Sequence, residues 1–121
     1  MNQKQDLRIG KYRRAVKSRF IRVLALSIRH HLIPELGTRQ TITLELAPED
    51  LSETISLTFS DVHQLQIADL HPGCACYLDI VPMASRQGEG IRYKVRSLEQ
   101  DLTLSFYCGS FEIEHMLRAA V

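Results

Sequence analysis

The sequence predicts a mainly β domain, close to the α+β borderline. The expected form is a single antiparallel sheet or a sandwich of about seven or eight short strands, with a short N-terminal helix. Three observations carry this expectation. Between Ile91 and Ile113 lie two runs of strict alternation, Ile91, Tyr93 and Val95 in one and Leu102, Leu104 and Phe106 in the other. Side chains on a strand change face at every residue, so each run reads as a strand with one buried face. Further alternating runs recur along the chain, separated by Pro, Gly and Asp turns. No strand–helix–strand rhythm of a parallel sheet is present.

In chain order, residues 1–10 are polar and expected to be flexible. Residues 11–20 fit a short basic helix, with Tyr12, Val16 and Phe20 on one face and Arg13, Arg14 and Lys17 on the other. Residues 22–115 make the antiparallel β body. Its first segment is ambiguous. Leu24, Leu26 and Ile28 alternate as in a strand, while Val23 and Leu24 also continue the helical stripe. The strand reading is preferred because Thr41–Leu46, with Ile42, Leu44 and Leu46 inward, offers a neighbour. His31–Gln40, containing Pro34 and Gly37, reads as a loop. Thr54–Phe59 is a strand with Ile55, Leu57 and Phe59 on one face, and Asp61 marks a turn or bulge. Val62–Ala68 follows, with Leu65 and Ile67 expected inside. Cys74–Val81 is strand-like, with Cys76, Leu78 and Ile80 on one face. After the loop Pro82–Gly90 comes the hairpin, joined by Ser97–Asp101. Gly109 interrupts the pattern, Phe111 and Ile113 give a short last strand, and His115–Val121 suits a helical tail.

A chain of 121 residues is one domain on size and long enough to bury a sizeable core. No apolar run reaches the roughly 20 residues that span a membrane. The basic N-terminus is not followed by a signal-peptide core and cleavage site. Three cysteines argue against a closed disulfide framework and for a reducing cytoplasm. The net charge of +1 hides a segregation. Nine of the fifteen Lys and Arg fall before residue 34, against Asp6 alone; the other thirteen acidic residues lie beyond it. Such a leader either binds a polyanion or docks on an acidic body, with Glu45, Asp79 and Glu112 as candidate sites.

Few residues point to chemistry. His71, Cys74, Cys76 and Cys108 are the conceivable zinc ligands, but C-x-C spacing without a second pair fits buried thiols better. Cys108, before Gly109 and Ser110, is the conceivable nucleophile, with no motif to supply a base. His63 after Asp61, and His115 after Glu112 and Glu114, are the nearest acid–His groupings. Gln87-Gly88-Glu89-Gly90 is acidic and lacks the features of a phosphate cradle. No catalytic, cofactor or metal residue is therefore assigned. The candidate partner-binding residues are the basic set Lys11, Arg13, Arg14, Lys17, Arg19 and Arg22, with Arg92, Lys94 and Arg96 on the polar side of the hairpin. Glu112 and Glu114 are the expected cross-strand counter-charges of that second group.

The runs Thr58-Phe59-Ser60-Asp61-Val62-His63-Gln64-Leu65 and Arg86-Gln87-Gly88-Glu89-Gly90-Ile91-Arg92-Tyr93, then Ser105-Phe106-Tyr107-Cys108 and Phe111-Glu112-Ile113, resemble small bacterial proteins grouped with immunity proteins of polymorphic toxin systems. The likeness covers roughly residues 40–115. Related families carry a His-Asp pair near the first strand; here His30-His31 stands without the Asp. The resemblance implies a binding protein without a cofactor and transfers no catalytic residue. The expected function is thus a non-enzymatic cytoplasmic protein-binding module of immunity type, its partner a toxin or its own subunit. The alternative is a nucleic-acid-binding accessory protein using the basic leader.

Overall fold

Eight antiparallel strands, set out in a computed structural model, build two four-stranded sheets from the described residues 7, 9–14, 22–35, 37–48, 53–71, 73–83, 91–98 and 103–117. Sheet A holds β1 (Arg22–Ile33), β2 (Gly37–Ala47), β3 (Glu53–Ser60) and β8 (Ser110–Leu117) in the order β1-β2-β3-β8. Sheet B holds β4 (His63–Ala68), β5 (Leu78–Pro82), β6 (Tyr93–Ser97) and β7 (Thr103–Cys108) in the order β4-β7-β6-β5. The hairpin legible in the alternation is the middle of sheet B. Its register sets Val95 opposite Phe106 and Tyr93 opposite Cys108, and all four are fully buried.

The two sheets share a bent ladder. β3 pairs with β8 as far as Ser60 opposite Ser110, and the same two chain segments resume as β4 and β7 with His63 opposite Tyr107. Between them the chain turns at Asp61, whose φ is 56°, and at Gly109, whose N–H donates to the Ser60 carbonyl at 3.0 Å. Strands that switch sheets at a bend make the corner of a two-sheet packing. Aromatic rings fill this corner. Phe59 meets Phe106 edge-on at 4.9 Å and stacks with Phe111 at 5.8 Å, and Tyr93 meets Phe111 edge-on at 5.0 Å. Ile42, Leu44, Leu46, Ile55 and Leu57 extend the core under sheet A, as their alternation predicts.

Several boundaries differ from those expected. His31–Gln40 is a hairpin, not a loop: β1 runs on to Ile33 and pairs with Gly37–Gln40. Pro34 and Gly37 mark a turn of only a few residues, with Glu35 at φ 71° and Gly37 at φ 87°. From Ser27 to Leu32 the strand is exposed on both faces, so no buried apolar face marks its continuation. His115–Leu117 belong to β8, not to a helical tail, because β3 offers a partner along its whole length up to Glu53 opposite Leu117; residues 118–121 lie outside the described residues. In Cys74–Val81 only Leu78 onward is strand, and the preceding turn holds one bridge, Ala75 to Arg22. Ile67, expected inside, is 39% exposed, since β4 is an edge strand bulged between His63 and Gln66 with Gln64 at φ 56°.

The N-terminal helix includes residues 7 and 9–14 and so begins before residue 11; Val16 and Phe20, two of the three residues of its expected apolar face, lie outside the described residues. Ile9 and Tyr12, three residues apart and on one helical face, are buried in the main core. The Leu78 N–H, at the free start of β5, donates to the Tyr12 hydroxyl at 2.8 Å.

Candidate partner-binding surface

Register determines which side chains share the outer face of sheet B. One row across the sheet reads Val81, Lys94, Tyr107, His63, and the next reads Asp79, Arg96, Ser105, Gln66. Arg92 continues the outward phase of Lys94 and Arg96. Lys94 Nζ sits 5.7 Å from the centre of the Tyr107 ring, a cation–π contact. Arg96 Nε lies 3.7 Å from Asp79 Oδ2, at the limit of an ion pair and open to water. Glu112 and Glu114 are therefore not the counter-charges of this group. They stand on the outer face of sheet A, beside Thr58 and Ser56, with Glu45 across Ser56 in the same row. The bend puts the cations of the hairpin on the outer face of sheet B and Glu45, Glu112 and Glu114 on that of sheet A, where Arg29 and Arg39 stand towards the β1–β2 turn, a distribution that chain order does not show.

Three exposed apolar side chains border the basic face. Val81 is 41% exposed, and Tyr77 and Leu98 are 41% and 58% exposed where the Leu98 N–H donates to the Tyr77 carbonyl at 2.9 Å. None of the three stands out in the sequence as a site residue, although the alternation carries a signal for two of them. Once Leu78 and Ile80 are assigned inward, Tyr77 and Val81 fall on the outward phase, where large apolar residues have no core to fill.

The basic leader is only partly described. Lys11, Arg13 and Arg14 are exposed on the helix, opposite the buried Ile9 and Tyr12, and Lys17 and Arg19 lie outside the described residues. Arg22 starts β1 and donates from Nη1 to the Gly73 carbonyl at 3.3 Å. Within the described residues the helix docks through the apolar packing of Ile9 and Tyr12 and a buried hydrogen bond.

The thiols and acid–His groupings do not gather. Cys74, Cys76 and Cys108 form no disulfide, and Cys76 and Cys108 are fully buried. Burial pushes the Cys108 thiol up from 9.0 to about 12, with the negative charge of Asp61 adding to the shift and a Ser110 backbone hydrogen bond opposing it. A thiol this reluctant to ionise is a poor nucleophile. Asp61 is turned to Arg39, 2.9 Å away, and His115 Nε2 lies 3.1 Å from Glu53 Oε1 rather than beside Glu112 or Glu114. No three His, Cys, Asp or Glu side chains among the described residues lie close enough to hold a metal ion. An apolar groove of about 420 Å³ between β1 and the end of β4 carries only Asp69 and His71 as titratable lining.

The sequence profile of the family described as "Immunity protein PIM8" matches residues 5–114, nearly the whole chain. The chain belongs to this family. The PIM8 match takes in the helix, both sheets and the corner, and so extends well beyond the span that carried the resemblance in the sequence. No curated protein and no solved structure matches the chain. No helix among the described residues is long and apolar enough to cross a membrane.

Proposed function

We propose that this PIM8-family chain neutralises a toxin by binding it in the cytoplasm, without catalysis and without a cofactor. Membership of an immunity-protein family over residues 5–114 carries the reading. The chemistry of the described residues accords with it. The buried Cys108 thiol resists ionisation, and the acid–His pairs are dispersed surface contacts. What the chain offers instead is surface. Its exposed basic residues, Lys11, Arg13 and Arg14 on the helix and Arg92 and Arg96 on sheet B with the half-buried Lys94, are the proposed partner contacts, together with Lys17, Arg19 and Arg22. The family match lends no support to the nucleic-acid alternative.

The test is suppression of toxicity. Fragments of the source genome are expressed inducibly in a bacterial host, and those that arrest growth are retested with this chain co-expressed. The expected result is at least one fragment whose toxicity the chain relieves and whose purified product forms a stoichiometric complex with it. Complete failure to relieve any growth-arresting fragment would refute the reading.

A further inference from the structure

We propose that the partner docks on the outer face of sheet B, centred on Lys94 and Tyr107, and that it brings an acidic protein surface with an apolar centre. This inference rests on the immunity reading and names the surface that serves it.

The first argument is composition. Protein interfaces combine tyrosine and arginine with apolar contact area, and their energy concentrates on a few such anchors. The outer face of sheet B and its border supply Tyr107, Tyr77, Val81 and Leu98 next to Arg92 and Arg96. Three of the seven exposed large hydrophobics among the described residues lie there. On sheet A the outward positions with described side chains are Ser, Thr and Glu on β3 and β8, Arg39, Thr41, Thr43 and Glu45 on β2, and Ala25, Ser27, Arg29 and His31 on β1, none of them an exposed large hydrophobic, while the exposed Ile28 and Leu32 of β1 fall on the opposite phase.

Charge gives the partner its chemistry. Arg92, Lys94 and Arg96 face outward with Asp79 as the acid in their rows, so the face is net positive. Complementary potential steers encounter and rejects like-charged surfaces, so the matching partner is acidic. Rigidity favours the same face. β6 and β7 are the central strands of sheet B, with Val95 and Phe106 locked in the core beneath it. A preorganised surface loses little freedom on binding.

The face is a poor match for nucleic acid. Single strands stack successive bases on open aromatic rings; here Tyr77 at the border is the one exposed ring, Tyr107 is half-buried with Lys94 held against it, and Val81 and Leu98 have no ring to offer.

The test uses a toxin fragment whose activity the full chain suppresses. Two variants, R92E/K94E and L98D, alter the face; E112K/E114K alters sheet A. Circular dichroism and urea unfolding establish that all three are folded. The expected result is an affinity for the fragment at least about 100-fold weaker in R92E/K94E at low salt, mostly through slower association. L98D also weakens binding, the loss persists at high salt, and E112K/E114K binds as the parent does. Hydrogen exchange of the complex should protect β5, β6 and β7. If the chain relieves toxicity but R92E/K94E and L98D bind normally, or protection falls on sheet A or the β1–β2 hairpin, the surface is wrong and the immunity reading stands. If no fragment is relieved, the immunity reading falls and takes the surface with it. Salt-steep binding of labelled single-stranded RNA that R92E/K94E abolishes would assign the face to nucleic acid and overturn the proposal. So would self-association, read by sedimentation, that the same variant abolishes.

Discussion

Replacing Tyr12 with Phe tests how the N-terminal helix is held. Tyr12 is 2% exposed, and its hydroxyl accepts from the Leu78 N–H at 2.8 Å. Y12F keeps the ring and removes the acceptor, leaving a buried backbone donor without this bond. A buried group stranded in this way costs about 1–3 kcal/mol. Y12A also empties the ring's volume, and losses of that kind run to about 3–5 kcal/mol. The two variants therefore separate the hydrogen bond from the packing. The assay is equilibrium urea unfolding, read by far-UV circular dichroism, with stability extrapolated to water. It is run at about 50 and about 500 mM salt, where the screening length falls from over 10 Å to a few ångströms. Docking by packing and a buried bond predicts the same loss at both salt concentrations. A Y12F loss below about 0.3 kcal/mol, within the range of an ordinary surface substitution, would show that the helix is not anchored at Leu78. A loss that vanished at high salt would return the leader to electrostatic docking on the acidic body.

Phe106→Ala, which removes a ring 4.9 Å from Phe59 at the corner, should cost about 3–5 kcal/mol in the same unfolding assay; a loss below about 1 kcal/mol would contradict its place in the core. Cys108 should resist alkylation in the native protein at mildly alkaline pH and react on unfolding, as mass spectrometry would show. Its folded-state value is raised from 9.0 to about 12, so its contribution to stability is complete below 9.0 and is lost as pH rises towards about 12. Asp61→Ala should cost roughly 1–2 kcal/mol, because φ 56° disfavours a residue with a Cβ and no local hydrogen-bonding side chain. Asp61→Asn, which tolerates that conformation, should lose less, and equal losses in thermal melts would refute the strain argument.

The sequence alone determined most of the strands. Alternation at Tyr93–Val95, Leu104–Phe106, Ile42–Leu46 and Ile55–Phe59 is a local consequence of burying one face of a sheet, so it survives as a pattern in the chain. The same pattern gave the outward set Arg92, Lys94 and Arg96. Elements stabilised by a distant partner left no such trace. The hairpin beyond His30 is exposed on both sides, and the final strand reaches Leu117 because β3 runs beside it. Ile9 carried no visible partner, since it is buried in a core assembled from distant strands, and Tyr12 bonds the start of β5, far along the chain. Only the tertiary structure decided the sharing of charge between faces. Chain order contrasts a basic leader with an acidic body. The bend at Asp61 and Gly109 instead sends β8, with Glu112 and Glu114, to sheet A and leaves β6, with its cations, in sheet B. Alternation says which side chains share a face of one strand; only pairing between strands says which faces belong to the same sheet.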